Sequence, residues 1–292
     1  MRKKNTSNLS DIKKELKNKT ILLTGGAGSI GTALAKHLLE YPIKAIRVLD
    51  IDEYGLFKLK RDVNDPRLRL LLGSITDKDR INMACDNVDI IIHAAAVKNI
   101  EISEFNPIET IDVNINGIVN IIKAIIRNKP IKFLNISTDK AADASTLYGT
   151  TKQLGERLTS WAGMHVEHTK FASVRFGNVI ETRGNVFEVW DKEFKDNLPL
   201  SITNLSMKRY FFHIGEAVDF IIKCIPLINQ GEIFVPKMKS YKIKELANKI
   251  SKKHKVVGLR QGEKMDEILI SDVERDNAEE FPDMWVIKHY LS

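Results

Sequence analysis

Tyr148 and Lys152 stand four residues apart, and Ser137, Thr138, Asp139 and Lys140 form an unbroken polar run shortly before them. Residues i and i+4 of a helix share a face, so the spacing places an ammonium beside a phenol. A neighbouring cation favours the phenolate and leaves a base usable near neutral pH. The polar run follows an apolar stretch, 131–136, with the pattern of a strand. Side chains leaving the C-terminal end of a parallel strand stand where doubly wound sheets bind their ligands. Thr138, Asp139, Lys140, Tyr148 and Lys152 are therefore the candidate catalytic residues. Each alone has an ordinary structural reading, Asp139 as a helix cap, Lys140 as a surface charge and Tyr148 as core. Their joint spacing argues for chemistry.

A second constellation lies near the N-terminus. The apolar run 20–24 ends in Gly25-Gly26-Ala27-Gly28-Ser29-Ile30-Gly31, which satisfies GxxGxxG from Gly25 and GxGxxG from Gly26, and helical spacing follows over 29–40. Strand, glycine turn and helix N-terminus together accept a pyrophosphate, which makes Gly25, Gly28, Ser29, Ile30 and Gly31 candidate cofactor residues. Asp50, nineteen residues beyond Gly31, ends the second strand. A carboxylate there accepts hydrogen bonds from the adenosine ribose and repels a 2′-phosphate, favouring NAD over NADP. Asp52 competes for that role, and Arg47 is expected to face solvent. Ser74 and Ile75 follow the third strand, and Ala94, Ala95 and Ala96 follow the fourth; His93 before them reads as a packed histidine.

The elements that position these groups alternate regularly. Strand patterns at 20–24, 45–49, 68–72, 89–93, 131–136 and 172–176 are separated by helix patterns at 29–40, 53–63, after 77, at 106–128 and at 147–161. This rhythm predicts an α/β fold, a Rossmann doubly wound parallel sheet with helices on both faces. After Gly177 the rhythm breaks, and helix patterns recur at 186–195, 215–228 and 243–252. The expected division is a dinucleotide-binding domain over 1–176, rejoined by 214–236, and a smaller C-terminal substrate-binding lobe of 177–213 and 237–292. A ligand cleft would lie between them.

Composition narrows the function classes. With 45 Lys+Arg against 38 Asp+Glu, the net charge of +7 suits an anionic ligand, yet the lysines of the first twenty residues and of helix faces read as solvated surface, with no nucleic-acid pattern. Cys85 and Cys224 lack metal-ligand or CxxC spacing, so neither a metal nor a disulfide is expected. The basic segment 1–19 has no signal-peptide core and no later run approaches a membrane span, so a cytoplasmic protein is expected.

The motifs resemble those of extended short-chain dehydrogenase/reductases acting on nucleotide sugars, and most of all the inverting UDP-N-acetylglucosamine 4,6-dehydratases of the polysaccharide biosynthesis family. Carrying the resemblance are Thr24-Gly25-Gly26, residues 93–98, Asn114-Ile115-Asn116-Gly117, residues 137–141, Tyr148-Gly149-Thr150-Thr151-Lys152, Arg175-Phe176-Gly177-Asn178-Val179, Arg183-Gly184, Met207-Lys208-Arg209-Tyr210, Val235-Pro236-Lys237 and residues 258–264. The resemblance implies that Tyr148 deprotonates the sugar C4 hydroxyl while hydride passes to the nicotinamide, and that Lys152 holds the nicotinamide ribose. Lys140 would then remove the C5 proton and Asp139 assist loss of the C6 hydroxyl. Hydride return to C6 and protonation of the other face of C5 make the cycle redox-neutral. It further implies that Arg209 and Arg260 meet the diphosphate of a UDP-sugar, that Glu263 binds the uridine ribose, that Asn178 and Arg183 contact substrate, and that Lys98 lies between cofactor and sugar. Helices 106–128 and 147–161 would join subunits of a homo-oligomer.

Several positions depart from the family pattern. Ser74 replaces an acidic residue that would meet the adenine, Glu181-Thr182 brings a carboxylate close to an anionic substrate, and Lys208, His213 and Gln261 are unusual. Two rival readings remain. A UDP-sugar 4-epimerase needs Tyr148 but not the pair Asp139 and Lys140, and a catalytically inactive nucleotide-binding regulator would need neither Tyr148 nor Lys152.

Overall fold

The computed structural model describes residues 7–260 and 262–288; the first six residues of the basic N-terminal segment, Gln261 and the last four residues lie outside them. After helix α1 (Leu9–Leu16), strand β1 (Thr20–Thr24), helix α2 (Ser29–Leu38), β2 (Ala45–Asp50), α3 (Glu53–Asp62), β3 (Leu68–Leu72), α4 (Lys78–Cys85) and β4 (Ile90–His93) follow in turn. Every residue of β1 and β4 is buried. Such short, continuous apolar runs form strands covered on both faces. Helices α5 (Ile100–Phe105), α6 (Pro107–Ile111) and α7 (Gly117–Asn128) lead to β5 (Lys132–Ile136), α8 (Leu147–His165) and β6 (Lys170–Val174).

Where the spacing predicts one helix over 106–128, the backbone of Asn106 is not helical and Pro107 opens α6. A single π turn, Asp112–Asn116, then separates α6 from α7. Asn114 gives the reason for the turn. Its side chain is buried, accepts from the Val97 N–H at 2.8 Å, and donates to the Val97 carbonyl and the Thr151 hydroxyl, both at 3.0 Å. The extra residue in the turn fastens the segment after β4 to α8; such bulges gather at functional sites.

Beyond β6 the chain forms β7 (Asn178–Val179), α9 (Val186–Lys195), β8 (Leu200–Ile202) and β9 (Lys208–Phe212), then α10 (Ile214–Cys224) and β10 (Gln230–Pro236). It ends in β11 (Ser240–Lys242), α11 (Ile243–Ala247), β12 (His254–Val256), α12 (Asp272–Arg275), β13 (Ala278–Glu280) and β14 (Met284–Ile287). The main sheet has the order β13-β14-β10-β6-β5-β4-β1-β2-β3. From β10 to β3 all neighbours are parallel, as the strand and helix rhythm predicts. Separate apolar cores cover its two faces. The order reverses between β1 and β4, so their C-terminal ends open a crevice.

The end of the chain differs from expectation. Strands β13 and β14, read from sequence as part of 237–292 in the smaller lobe, extend the main sheet as an antiparallel pair beside β10. Buried Met284 and Val286 pack into the core on one face of the sheet and Ile287 into a small cluster on the other. The helix predicted over 243–252 stops at Ala247, because Ser251 closes a turn through the Lys253 N–H and the His254 ring. The sheet β11-β9-β7 and the pair β12-β8 lie over a small core of Trp190, Leu200, Ile202, Met207, Phe211, Ile243 and Ala247.

Arg175, directly after β6, ties α8 to the C-terminal segment. It is 1% exposed and forks onto Glu156 of α8 at 3.0 and 2.6 Å and onto Glu274 of α12 at 2.8 and 2.6 Å, with a further bond to the Leu269 carbonyl. Burial disfavours this guanidinium, but the two carboxylates hold its pKa above the ordinary arginine value. Removing one partner of a buried pair leaves an uncompensated charge, so Glu274→Ala should cost about 3 kcal/mol in urea unfolding. A loss below about 1 kcal/mol, the scale of an exposed ion pair, would contradict this reading.

Candidate active site

The cofactor crevice is built from the end of β1 upward. Gly25 has φ +70°, and a Cβ on it would stand 2.5 Å from the Ala95 nitrogen, so only glycine lets this turn lie on the backbone of 94–96. The Ala27 N–H donates to Asp50 Oδ2 at 2.8 Å, and the Asp52 N–H donates to Oδ1 at 3.0 Å, which fixes the glycine turn against the end of β2. Asp52, the competitor for the ribose role, instead caps α3 through the Gly55 N–H at 2.9 Å. Arg47, expected to face solvent, is half-buried. It reaches the Ala84 and Asp86 carbonyls at 3.0 and 2.5 Å and closes the C-terminal end of α4.

A cleft of about 420 Å³ results, lined by Gly25, Gly28, Ser29, Ile30, Gly31, Asp50, Ser74, Ile75, Ala94, Ala95, Ala96 and Lys98. These are all the candidate cofactor residues outside α8. The cradle fits a dinucleotide: the first turn of α2 has no side-chain cap, Asp50 retains lone pairs for a ribose, and small side chains form the floor. His93 at the end of β4 is packed. It is hydrogen-bonded to the Thr24 hydroxyl at 2.7 Å and stacked near Phe133, and burial, aided by the Lys152 charge, lowers its pKa to about 3.

Arg183, expected with the substrate residues, lies on this cleft instead. Its N–H donates to the Ser29 hydroxyl at 2.9 Å, its guanidinium meets the Ala27 carbonyl, and it stands 3.5 Å from Asp52. Positive φ angles at Glu181 (66°) and Gly184 (73°) turn the 181–184 loop back over the glycine turn. The Arg183 carbonyl accepts Lys98 Nζ at 3.0 Å. Burial and then the Arg183 charge lower the Lys98 pKa. The Glu181 carboxylate points away from the cleft, to the Ile214 N–H at 3.1 Å and to His213 at 3.2 Å.

At the end of β5 the candidate catalytic residues come together. Asp139 is 1% exposed, and its Oδ1 accepts from the Thr138 hydroxyl at 3.0 Å and from Lys140 Nζ at 2.9 Å. Oδ2 is buried and has no hydrogen-bond partner. It stands 3.2 Å from where a Gly177 Cβ would lie, so the glycine keeps room beside this oxygen. Asp139 caps no helix. It opens the short 3-10 turn Asp139–Ala141, with its N–H bonded to the Phe176 carbonyl at 3.0 Å.

Lys140 Nζ also lies 3.9 Å from Glu267 Oε1. Burial works against this ammonium, but Asp139 and Glu267 outweigh it and hold the amine above the usual lysine value. Tyr148 is the second residue of α8, whose N-terminus is capped by the Thr146 hydroxyl accepting from the Gly149 N–H at 3.1 Å. Burial raises the phenol pKa and Asp139 adds to the rise, while the Lys140 charge and the Thr138 hydroxyl oppose it. The cation that opposes the rise at Tyr148 is Lys140. Lys152 is buried beside the carboxylate of Glu156, which holds its charge against a burial that brings it down to about 8.

The remaining substrate candidates lie under β9. Asn178 Nδ2 donates to the Tyr210 carbonyl at 3.1 Å, joining β7 to β9. Arg209 is 7% exposed and donates to the carbonyls of Lys208, Lys264 and Met265 at 2.8, 2.8 and 2.9 Å, with Glu263 at 3.4 Å. Its position inside β9 makes it a clamp on the 263–265 segment rather than a free phosphate ligand. Glu263 is held in the same clamp and accepts the Arg260 N–H at 3.2 Å, while the Arg260 side chain is exposed. The Ser145 hydroxyl donates to the Gly262 carbonyl at 2.6 Å, and Lys264 pairs with Asp143. These ties carry Glu267, which no motif marks, to Lys140.

The sequence pattern of the polysaccharide biosynthesis protein family matches residues 21–289. A Methanocaldococcus jannaschii protein named an uncharacterized membrane protein is 41% identical over 96% of this chain and 89% of its own. Among the described residues here, no helix is long and apolar enough to cross a membrane. The inverting UDP-N-acetylglucosamine 4,6-dehydratase of Campylobacter jejuni is 37% identical over 92% of this chain and 82% of its own, and a UDP-glucose 4-epimerase of Rickettsia bellii is 35% identical over 90% and 81%. The X-ray structure of Pen from Bacillus thuringiensis superposes with a TM-score of 0.90 at 34% identity, covering 95% of this chain and 90% of that one. By the match to its sequence pattern and by these identities, the chain belongs to the polysaccharide biosynthesis protein family.

Proposed function

We propose that this protein is an NAD-dependent UDP-N-acetylglucosamine 4,6-dehydratase that inverts C5, a lyase serving the synthesis of a surface glycan sugar in the cytoplasm. The observation that carries the reading is the buried contact of Lys140 with Asp139 at 2.9 Å beside Tyr148. The glycine turn, Asp50 and the 94–96 floor would hold NAD, with Lys152 toward its nicotinamide ribose, and the bound cofactor would supply a reversible hydride acceptor for the sugar C4.

The chain's own groups move the protons. Tyr148 takes the proton of the C4 hydroxyl, and the Lys140 charge and Thr138 hydroxyl stabilise the phenolate so formed. A ketone at C4 makes the C5 proton acidic. The 2.9 Å contact then allows the Lys140 ammonium to pass a proton to Asp139, leaving a neutral amine and a neutral carboxyl group. Once a bound sugar displaces water, the neutral pair is less costly to bury than the ion pair. The amine accepts the C5 proton, and the carboxyl group gives its proton to the C6 hydroxyl as it leaves. Ammonium and carboxylate are thereby restored. Arg260 is the side chain left free to meet the diphosphate, and Asn178 and Lys98 border the sugar.

A UDP-sugar 4-epimerase is the second reading, favoured by the Rickettsia relative. It uses Tyr148 but gives the Asp139 and Lys140 pair no task. In subunit pairing, exposed Phe105, Ile108, Leu154 and Trp161 of α5, α6 and α8 form the face we assign to a second copy. Phe105→Glu should then lower the molar mass measured by light scattering, and an unchanged mass would remove that assignment.

Incubation with UDP-N-acetylglucosamine in deuterated water, read by proton NMR, should show a 4-keto-6-deoxy product with deuterium at inverted C5. A galacto-configured product without exchange would establish the epimerase. In the same assay Asp139→Asn should still form the reduced cofactor while water loss falls about a thousandfold, as expected for loss of a general acid. Tyr148→Phe should form neither.

A further inference from the structure

Glu267 is unassigned by the reaction above, yet it is the second carboxylate to face Lys140. It is 9% exposed, and its Oε1 stands 3.9 Å from Lys140 Nζ, carried there by the segment that Arg209 clamps. A buried carboxylate so placed is costly unless its charge does something for a neighbour. We propose that Glu267 is a third member of the acid–base group, a positioning residue that holds the Lys140 ammonium and governs whether Lys140 or Asp139 carries the shared proton. The inference rests on the dehydratase reading for its role in turnover, though not for its electrostatics.

The charged groups around the lysine come from four elements. Asp139 adjoins it in the 3-10 turn, Tyr148 faces it from α8, Glu267 faces it from the segment before α12, and Arg209 of β9 and Lys264 act on Glu267. Burial and Asp139 raise the Glu267 carboxyl, while Lys140, Arg209 and Lys264 oppose the rise. The negative charge of Glu267 favours the ammonium and so resists transfer of its proton to Asp139. Glu267 accordingly keeps the cation in place while Tyr148 is the working base. A sugar that enters between the lobes and lengthens the 3.9 Å contact would release the lysine to act at C5.

The test is an NMR titration of the protein labelled with ¹³C at the lysine Cε positions, with Lys140→Arg identifying the Lys140 signal. Glu267→Gln keeps the shape and removes the charge, so the Lys140 midpoint should fall by about one pH unit, a tenfold change in its proton affinity. Glu267→Asp should restore most of the shift, and the ascending limb of the pH profile for C5 deuterium exchange should move to lower pH with the Gln variant. A folded Glu267→Gln protein with an unmoved Lys140 midpoint would overturn the proposal. A moved midpoint without dehydration of any UDP-sugar by the wild-type protein would sustain the electrostatic role and reject the dehydratase reading.

Discussion

The contact between the Lys140 ammonium and the Asp139 carboxylate is the interaction that the rest of the site is arranged to maintain. Taking two charges out of water costs several kcal/mol for each, and their attraction offsets this only with good geometry and further partners. The partners come from every direction. Thr138 donates to the same carboxylate oxygen, the Phe176 carbonyl holds the Asp139 backbone, and Glu267 reaches the ammonium from the segment before α12. One oxygen, Asp139 Oδ2, is left without a partner in a place that Gly177 keeps open. A buried acceptor lacking its hydrogen bond is tolerated where a reacting group needs it.

Stability and chemistry meet at Glu156. On one side it forks with Arg175, which also holds Glu274 and thereby the C-terminal segment; on the other its charge supports Lys152 one helical turn earlier. The same α8 presents Tyr148 and is fastened through Thr151 to Asn114 of the π turn. The ionic cluster thus sets the helix, and the helix sets the phenol and the amine. The cofactor cleft obeys a separate constraint, the close packing of the glycine turn on the backbone of 94–96.

Much of this was legible in the sequence because it follows from local rules. Period-two and continuous apolar runs mark the parallel strands, and the glycine turn with Asp50 marks the cleft by chemistry confined to one βαβ unit. What escaped depends on distant pairings. Arg183 reads as a substrate residue until positive φ angles at Glu181 and Gly184 fold it over the glycine turn. Arg209 reads as a phosphate ligand until three carbonyls claim its guanidinium. Spacing alone pairs Lys152 with Tyr148, whereas the cation that opposes the rise of the phenol is Lys140, and Lys152 is buried with Glu156 supporting its charge. Glu267 carries no signal because its meaning lies in a residue far away along the chain, and β13 and β14 join the main sheet through antiparallel pairing that no local pattern announces.

In the dehydratase we propose, one site oxidises a sugar at C4 and returns the same hydrogen elsewhere on that sugar while Lys140 and Asp139 eliminate water. UDP-N-acetylglucosamine carrying deuterium only at C4 tests this most directly when product is analysed by NMR and mass spectrometry. Deuterium should appear in the C6 methyl group, retained within the molecule that lost it even when labelled and unlabelled sugars are mixed. Deuterium found again at C4 of an epimer, or scattered between molecules, would contradict it.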